Sequence, residues 1–185
     1  MRLVTYGAAC SLDGFIAARD GTMDWLHFSR DVEKTMARYW STVDTVLMGR
    51  KTWEFSAAAG GSDGRAGNDR SGQPAQPAQP KTYVFSRTLT EVPEGAELVS
   101  SDAGEFVRAL KARPGQGICV MGGGELATSL FAAGVIDEVG LNVHPILLGT
   151  GVPLFRDPGR HVALELAESR TIDGGCVLST YRVRR

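Results

Sequence analysis

Three consecutive glycines directly behind a short apolar run constrain this chain more than any other feature. Gly117-Ile118-Cys119-Val120-Met121 reads as a buried strand, Gly122-Gly123-Gly124 follows without a spacer, and Glu125-Leu126 opens a helical stretch to residue 133. Glycines at such a junction let the chain reverse sharply and let another molecule approach the backbone. The next helix turns its unpaired N–H groups and positive dipole end into the same gap, which suits a phosphate or diphosphate. The spacing is not G-x-G-x-x-G and no Walker lysine follows, so neither of those phosphate sites is implied. A tight turn with nothing bound is the plain alternative, but three glycines in succession favour a ligand.

Two other strand ends repeat the arrangement. Thr45-Val46-Leu47-Met48 leads into Gly49-Arg50-Lys51-Thr52, and the strand at residues 81–85 ends at Ser86-Arg87-Thr88. Alone, the first is an ordinary solvated helix start and the second a turn. In an open α/β sheet, however, ligands lie at the carboxyl ends of parallel strands. Three such ends bearing amides, cations and hydroxyls fit one elongated anion, a dinucleotide.

The remaining pattern fills in a sheet. Residues 3–9 read as a strand closed by Ser11-Leu12-Asp13-Gly14. Residues 30–40 read as a helix with Val32, Met36, Tyr39 and Trp40 at helical spacing and Ser29 as cap. A short strand at 97–99 precedes a helix at 103–112, with Asp102 as cap and Phe106, Val107 and Leu110 on one face. Strands are predicted at 138–144, 162–170 and 176–183, the last two joined by Asp173-Gly174-Gly175. The order predicts a mixed sheet, parallel in most strands and antiparallel at its C-terminal end. Residues 57–80 break the pattern with Gly, Pro and Gln, including Gln73-Pro74-Ala75-Gln76-Pro77-Ala78-Gln79-Pro80. They are expected to form a flexible surface insertion whose deletion over 61–79 changes stability and turnover little.

A length of 185 residues suits one domain spanning 1–185, and 43% hydrophobic with 22% charged residues is the composition of a globular protein. A net charge of −1 gives no reason to expect nucleic acid or an anionic membrane as partner. Cys10, Cys119 and Cys176 form no C-x-x-C pair and read as structural thiols in a reducing compartment. The first residues lack a signal-peptide pattern, and no apolar stretch approaches the ~20 residues of a membrane span, so the expected location is the cytoplasm. His27, His144 and His161 have no ligand-like partners, and no metal is expected.

Taken together, Ser11-Leu12-Asp13-Gly14-Phe15-Ile16-Ala17, Met48-Gly49-Arg50-Lys51-Thr52-Trp53-Glu54, Met121-Gly122-Gly123-Gly124 and the stretch from Ile136-Asp137-Glu138-Val139 to His144-Pro145-Ile146-Leu147-Leu148-Gly149-Thr150-Gly151 resemble the dihydrofolate reductase family. The closer likeness is to its bacterial relatives that include the C-terminal reductase domain of riboflavin biosynthesis. The resemblance covers almost the whole chain apart from residues 57–80. It implies a three-layer α/β/α fold with a doubly wound mixed sheet of about eight strands, and NADPH as hydride donor. It further implies that Ala8 and Ala9 line the nicotinamide end and that residues 14–21, with Ile16 and Gly21, form a loop closing over it. Arg50, Arg87 and Ser86 would meet the adenosine 2′-phosphate, with Lys51 and Thr52, following Gly49, at the phosphate bridge. Gly122, Gly123, Gly124, Glu125 and Leu126 would hold the diphosphate and one nicotinamide face.

On the substrate side the resemblance implies an acid near the first helix. Asp31 is the nearest match, with Glu33 competing; Asp13 is a second candidate proton donor. Asp31 is equally a first-turn acid favoured by the helix dipole, and Asp13 before glycine equally a turn former. Trp25 is the aromatic most suited to stack on a flat heterocycle. The expected activity is hydride transfer from NADPH to a pterin- or pyrimidine-like small molecule. The alternatives are the 5-amino-6-(5-phosphoribosylamino)uracil reductase of riboflavin biosynthesis, for which a second basic cluster is hard to find, and a non-catalytic nucleotide-binding protein. Residues 143–148 and the terminal strands either lie in the core or pair across two copies as a homodimer.

Overall fold

Side chains alternate along each strand, and that alternation sorts the apolar residues onto two faces of one sheet. The computed structural model describes residues 1–58, 80–93 and 95–185. Its strands are β1 (Val4–Ser11), β2 (Phe15–Ala17), β3 (Val43–Gly49), β4 (Lys81–Phe85), β5 (Ala96–Val99), β6 (Gly117–Met121), β7 (Glu138–His144), β8 (Val152–Pro153), β9 (Leu164–Thr171) and β10 (Val177–Val183). Its helices are α1 (Arg30–Trp40), α2 (Arg50–Ala58), α3 (Ala103–Lys111) and α4 (Gly124–Ala132). Eight strands form one sheet in the order β5-β4-β3-β6-β1-β7-β10-β9. Every pairing from β5 through β7 is parallel, and β10 is antiparallel to both β7 and β9.

Val4 and Tyr6 of β1, Ile118 and Val120 of β6 and Val139 of β7 pack with Val107 and Leu110 of α3 and Leu126 and Leu130 of α4. On the opposite face Val46 and Met48 of β3 and Cys119 of β6 pack with Trp40 of α1 and Trp53 of α2. The result is helix, sheet, helix. Helix α1 starts where the sequence places it: Ser29 has extended backbone and its Oγ accepts the Val32 N–H at 3.3 Å. Asp102 does the same for α3, accepting from Glu105 N at 2.8 Å. Cys10, Cys119 and Cys176 are buried free thiols, and burial pushes Cys10 and Cys119 up to about 11.

Several expectations need correction. Ala57 and Ala58 are not loop but the last turn of α2, since alanine carries the helix onward; residues 59–79 of the expected insertion lie outside the described residues. The stretch read as a closing loop contains β2, which pairs with β8 in a separate two-stranded sheet. Strands of three and two residues are too short to give a periodic signal. Strand β9 begins at Leu164, two residues later than expected, and all its residues are exposed because it is the sheet edge. Among the described residues no helix is long and apolar enough to cross a membrane.

Candidate functional site

The parallel strands all deliver their carboxyl ends to one side, and there the glycine turns meet. Gly122 and Gly123 both have left-handed backbone, with φ +60° and +57°, as the sharp reversal from β6 into α4 demands. A Cβ on Gly122 would stand 2.8 Å from Thr52 Oγ1 and one on Gly123 3.2 Å from it. The first turn of α2 therefore lies directly against the first turn of α4. Sequence motifs some 70 residues apart become one surface of bare amides and a hydroxyl.

That surface opens into a cavity of 1710 Å³, well above the roughly 300–1,000 Å³ of an ordinary small-molecule pocket. All the residues assigned above to the cofactor line it, from Ala8 and Ala9 through Gly49–Thr52 and Ser86–Arg87 to Gly122–Leu126. Ile16 and Gly21 line it from the β2 side. The cations differ in their ties. Arg50 reaches Glu54 at 3.1 Å, while Glu125 sits between Lys51 at 4.0 Å and Arg156 at 3.5 Å. Ser86 turns its Oγ back on its own turn, accepting from Leu89 N at 3.0 Å and Thr88 N at 3.2 Å. Its turn role is thus present, though it still borders the cavity.

The cavity continues beneath α1 over the sheet. Its floor is Thr5, Gly7 and Ala9 of β1 beside Gly140 and Asn142 of β7, with Leu178 and Thr180 of β10 beyond. Gly7 and Gly140 are direct partners across β1 and β7 and neither has positive φ. Added Cβ atoms would find ordinary contacts, Cys119 Sγ at 4.0 Å and Thr5 Cγ2 at 3.8 Å. The backbone does not require glycine here; the missing side chains leave a flat hollow. Asp31 and Thr35 border it from α1, with Asp31 half-buried in the first turn.

Two predicted residues fall elsewhere. Asp13 does not line the cavity: its carboxylate accepts from Ser11 Oγ at 2.6 Å, Gly149 N at 2.7 Å and Leu148 N at 3.1 Å. These bonds, that from Ser11 foremost, hold the carboxyl below its ordinary range, so it is ionised and acts as a turn clamp. A lowered carboxyl adds stability that is complete above the ordinary carboxylate range and lost as pH falls through the lowered value. Asp13→Ala should therefore lower the thermal midpoint at pH 7, with the gap from wild type closing in acid; a gap constant with pH would contradict the clamp. Trp25 also stays out of the lining. Its ring packs edge-on against His144, centroids 5.4 Å apart. Arg156, Asn142 and the two floor glycines are among the cavity residues that sequence reasoning missed. Glycines inside strand runs were the available signal for the last two; Arg156, in an irregular segment after β8, offered none.

Comparison with known proteins fixes the lineage. The RibD C-terminal domain family matches residues 2–178. The chain belongs to that family. The uncharacterised protein YyaP of Bacillus subtilis (strain 168) is 32% identical over 180 residues, covering 97% of this chain and 94% of YyaP. A putative riboflavin biosynthesis protein from Shewanella sp. PV-4 superposes with a TM-score of 0.80 at 27% identity, covering 99% of each chain. Dihydrofolate reductase from Enterococcus faecalis, complexed with NADP(H), superposes with a TM-score of 0.67 at 17% identity over 99% of this chain and 97% of that one. This RibD C-terminal domain thus has the dihydrofolate-reductase-like fold, the mixed sheet described above with helices on both faces.

Proposed function

We propose that the protein is an NADPH-dependent reductase transferring a hydride to a pterin- or pyrimidine-like heterocycle. One observation carries the reading: the strand-end motifs border a single cavity that runs on over a flat glycine floor, room for an elongated dinucleotide with a planar ring beside it. The Enterococcus faecalis reductase of the same fold is a complex with NADP(H), which supports the same donor here. NADPH, when bound, supplies the hydride. The chain supplies position. The amides of Gly122–Gly124 and the Thr52 hydroxyl receive the diphosphate, Arg50 and Arg87 the 2′-phosphate, and Ile16 on β2 covers the nicotinamide end. Gly7 and Ala9 would leave a flat floor on which an acceptor ring could lie beside the nicotinamide. Asp31, at the edge of the hollow, is the acid within the cavity suited to supply a proton.

Quenching of tryptophan fluorescence by NADPH, with NADH much weaker, tests the cofactor. Arg87→Ala should cost about tenfold in NADPH affinity and little in NADH affinity, from one lost charge-assisted contact. Equal affinity of the wild type for the two nucleotides would remove both arginines from the 2′-phosphate. NADPH consumption with a panel of pterins and pyrimidines tests the reaction, and binding without turnover across it would favour a non-catalytic nucleotide-binding protein.

A second reading gains from the cavity's far end. Lys34 and Arg38 of α1 and Arg170 of β9 all border it, and Arg170 donates to Thr35 Oγ1. This is the basic cluster that a phosphoribosylamino-pyrimidine would need, and it favours the riboflavin-pathway uracil reductase over other members of the class. The proposal extends to a homodimer through the exposed edge at β9, where Leu164 and Leu166 face solvent, and to a cytoplasmic location; sedimentation tests the first.

A further inference from the structure

Four buried side-chain polar atoms lack a hydrogen-bond partner among the described residues, and three of them fall on Asn142 (Oδ1) and His144 (Nε2), which line the cavity, and on Trp25 (Nε1), whose ring rests on His144. Asn142 and His144 are alternate residues on the same face of β7 and both line the cavity. Trp25 lies against the His144 ring. Buried polar atoms are nearly always paired, so three together mark the place of a group that the fold does not provide.

Their chemistry can be read. His144 is 2% exposed. Its Nδ1 receives the His27 backbone N–H at 3.4 Å and lies 3.4 Å from Cys176 Sγ. Burial keeps the Cys176 thiol protonated, and burial together with the nearby His27 lowers the His144 imidazole below its ordinary range. Because the His27 N–H donates to Nδ1, that nitrogen is the acceptor and the neutral ring carries its proton on Nε2. His144 Nε2–H and Trp25 Nε1–H are thus donors, and Asn142 Oδ1 is an acceptor. The Trp25 indole lies over the imidazole, and a ligand edge reaches His144 Nε2 as that ring swings aside, with the His27 N–H still on Nδ1.

We infer that Asn142 and His144 read the substrate's amide-like edge, an N–H meeting Asn142 Oδ1 and a carbonyl oxygen or ring nitrogen meeting His144 Nε2–H. This assigns ring recognition to β7 instead of to the acid on α1. It rests on the reductase reading only in taking the edge to be the substrate's. The strand order supports that choice: the phosphate-binding ends are β4, β3 and β6, the nicotinamide end is β1, and β7 is the next strand beyond. The cofactor's own carboxamide has the same chemistry, and the test separates the two.

Pterin (2-amino-4-oxopteridine), its N3-methyl derivative and NADPH serve as probes, with affinities from calorimetry or ligand-observed NMR. Wild type should prefer pterin to the methylated ring by about tenfold, the scale of one buried donor or acceptor left unpaired. Asn142→Leu should reduce that preference below about twofold, and His144→Phe should cost about tenfold in pterin affinity. His144→Gln, which keeps an N–H, should retain most of the affinity, and NADPH binding should hold in all three variants. Folded variants that still discriminate between the rings would overturn the inference. So would a loss confined to NADPH, or competition between pterin and NADPH, which would give the pair to the carboxamide. Wild type that ignores both rings overturns it too, yet leaves the reductase reading standing if NADPH binds. Ring discrimination without NADPH binding would do the reverse.

Discussion

Gly123→Asp is expected to weaken NADPH binding by about a hundredfold or more while the secondary structure stays in place. The aspartate would stand at the reversal from β6 into α4, where its Cβ lies 3.2 Å from Thr52 Oγ1, among the amides proposed to receive the diphosphate. Like charges about 4 Å apart near a protein surface repel by on the order of 4 kcal/mol, and about 2.7 kcal/mol already corresponds to a hundredfold. The left-handed backbone, φ +57°, adds a stability cost of about 1–2 kcal/mol for any side chain. Gly123→Asn separates the two effects, because it carries the same backbone strain without the charge. It should lose far less affinity than the aspartate. Circular dichroism checks the fold and fluorescence quenching the affinity. A folded Gly123→Asp protein that binds NADPH as tightly as wild type would remove the phosphate from this turn.

The second large effect is expected at Gly140. Valine there suits an extended strand and meets only Thr5 Cγ2 at ordinary distance at its Cβ, so the thermal midpoint should hold or rise. Its two methyl groups, however, would stand up from the floor beneath α1 in the space proposed for the acceptor ring. Displacing that ring from contact with the donor should cut turnover by about a hundredfold, as small misplacements in hydride-transfer geometry do. NADPH affinity should change little, because the strand ends proposed to hold its phosphates are on β3, β4 and β6. A variant that loses stability and turnover together would mean that the glycine serves packing. One that keeps turnover would move the substrate away from this hollow.

Much of this architecture was legible before any coordinates. Helix α1 and strands β4, β6 and β7 fall on their predicted bounds, because each is a run whose apolar spacing, cap or glycine stop agrees with its surroundings. The strand-end motifs were legible for the same reason, since glycines and cations at such junctions carry local meaning. What was hidden depends on contacts between distant residues. β2 and β8 exist only by pairing with one another. Asp13 read as a candidate acid because the amides of Leu148 and Gly149, which occupy it, are far away in sequence. Trp25 read as a stacking platform because nothing in the sequence tells that its ring would rest on His144. Arg38 was visible, but Arg170, which borders the same cavity, comes from the opposite end of the chain.

The small β2–β8 sheet has a mechanical consequence. Leu154 N donates to Gly14 O at 2.8 Å, and Leu154 O accepts from the buried Tyr6 hydroxyl at 2.7 Å. The flap carrying Ile16 is thus strapped to the strand that leads to Arg156, and the strap is bolted to the middle of the sheet. The positions of Arg156 and Ile16 at the cavity wall are thereby tied to one another, so a cut at either end of the strap should slacken both.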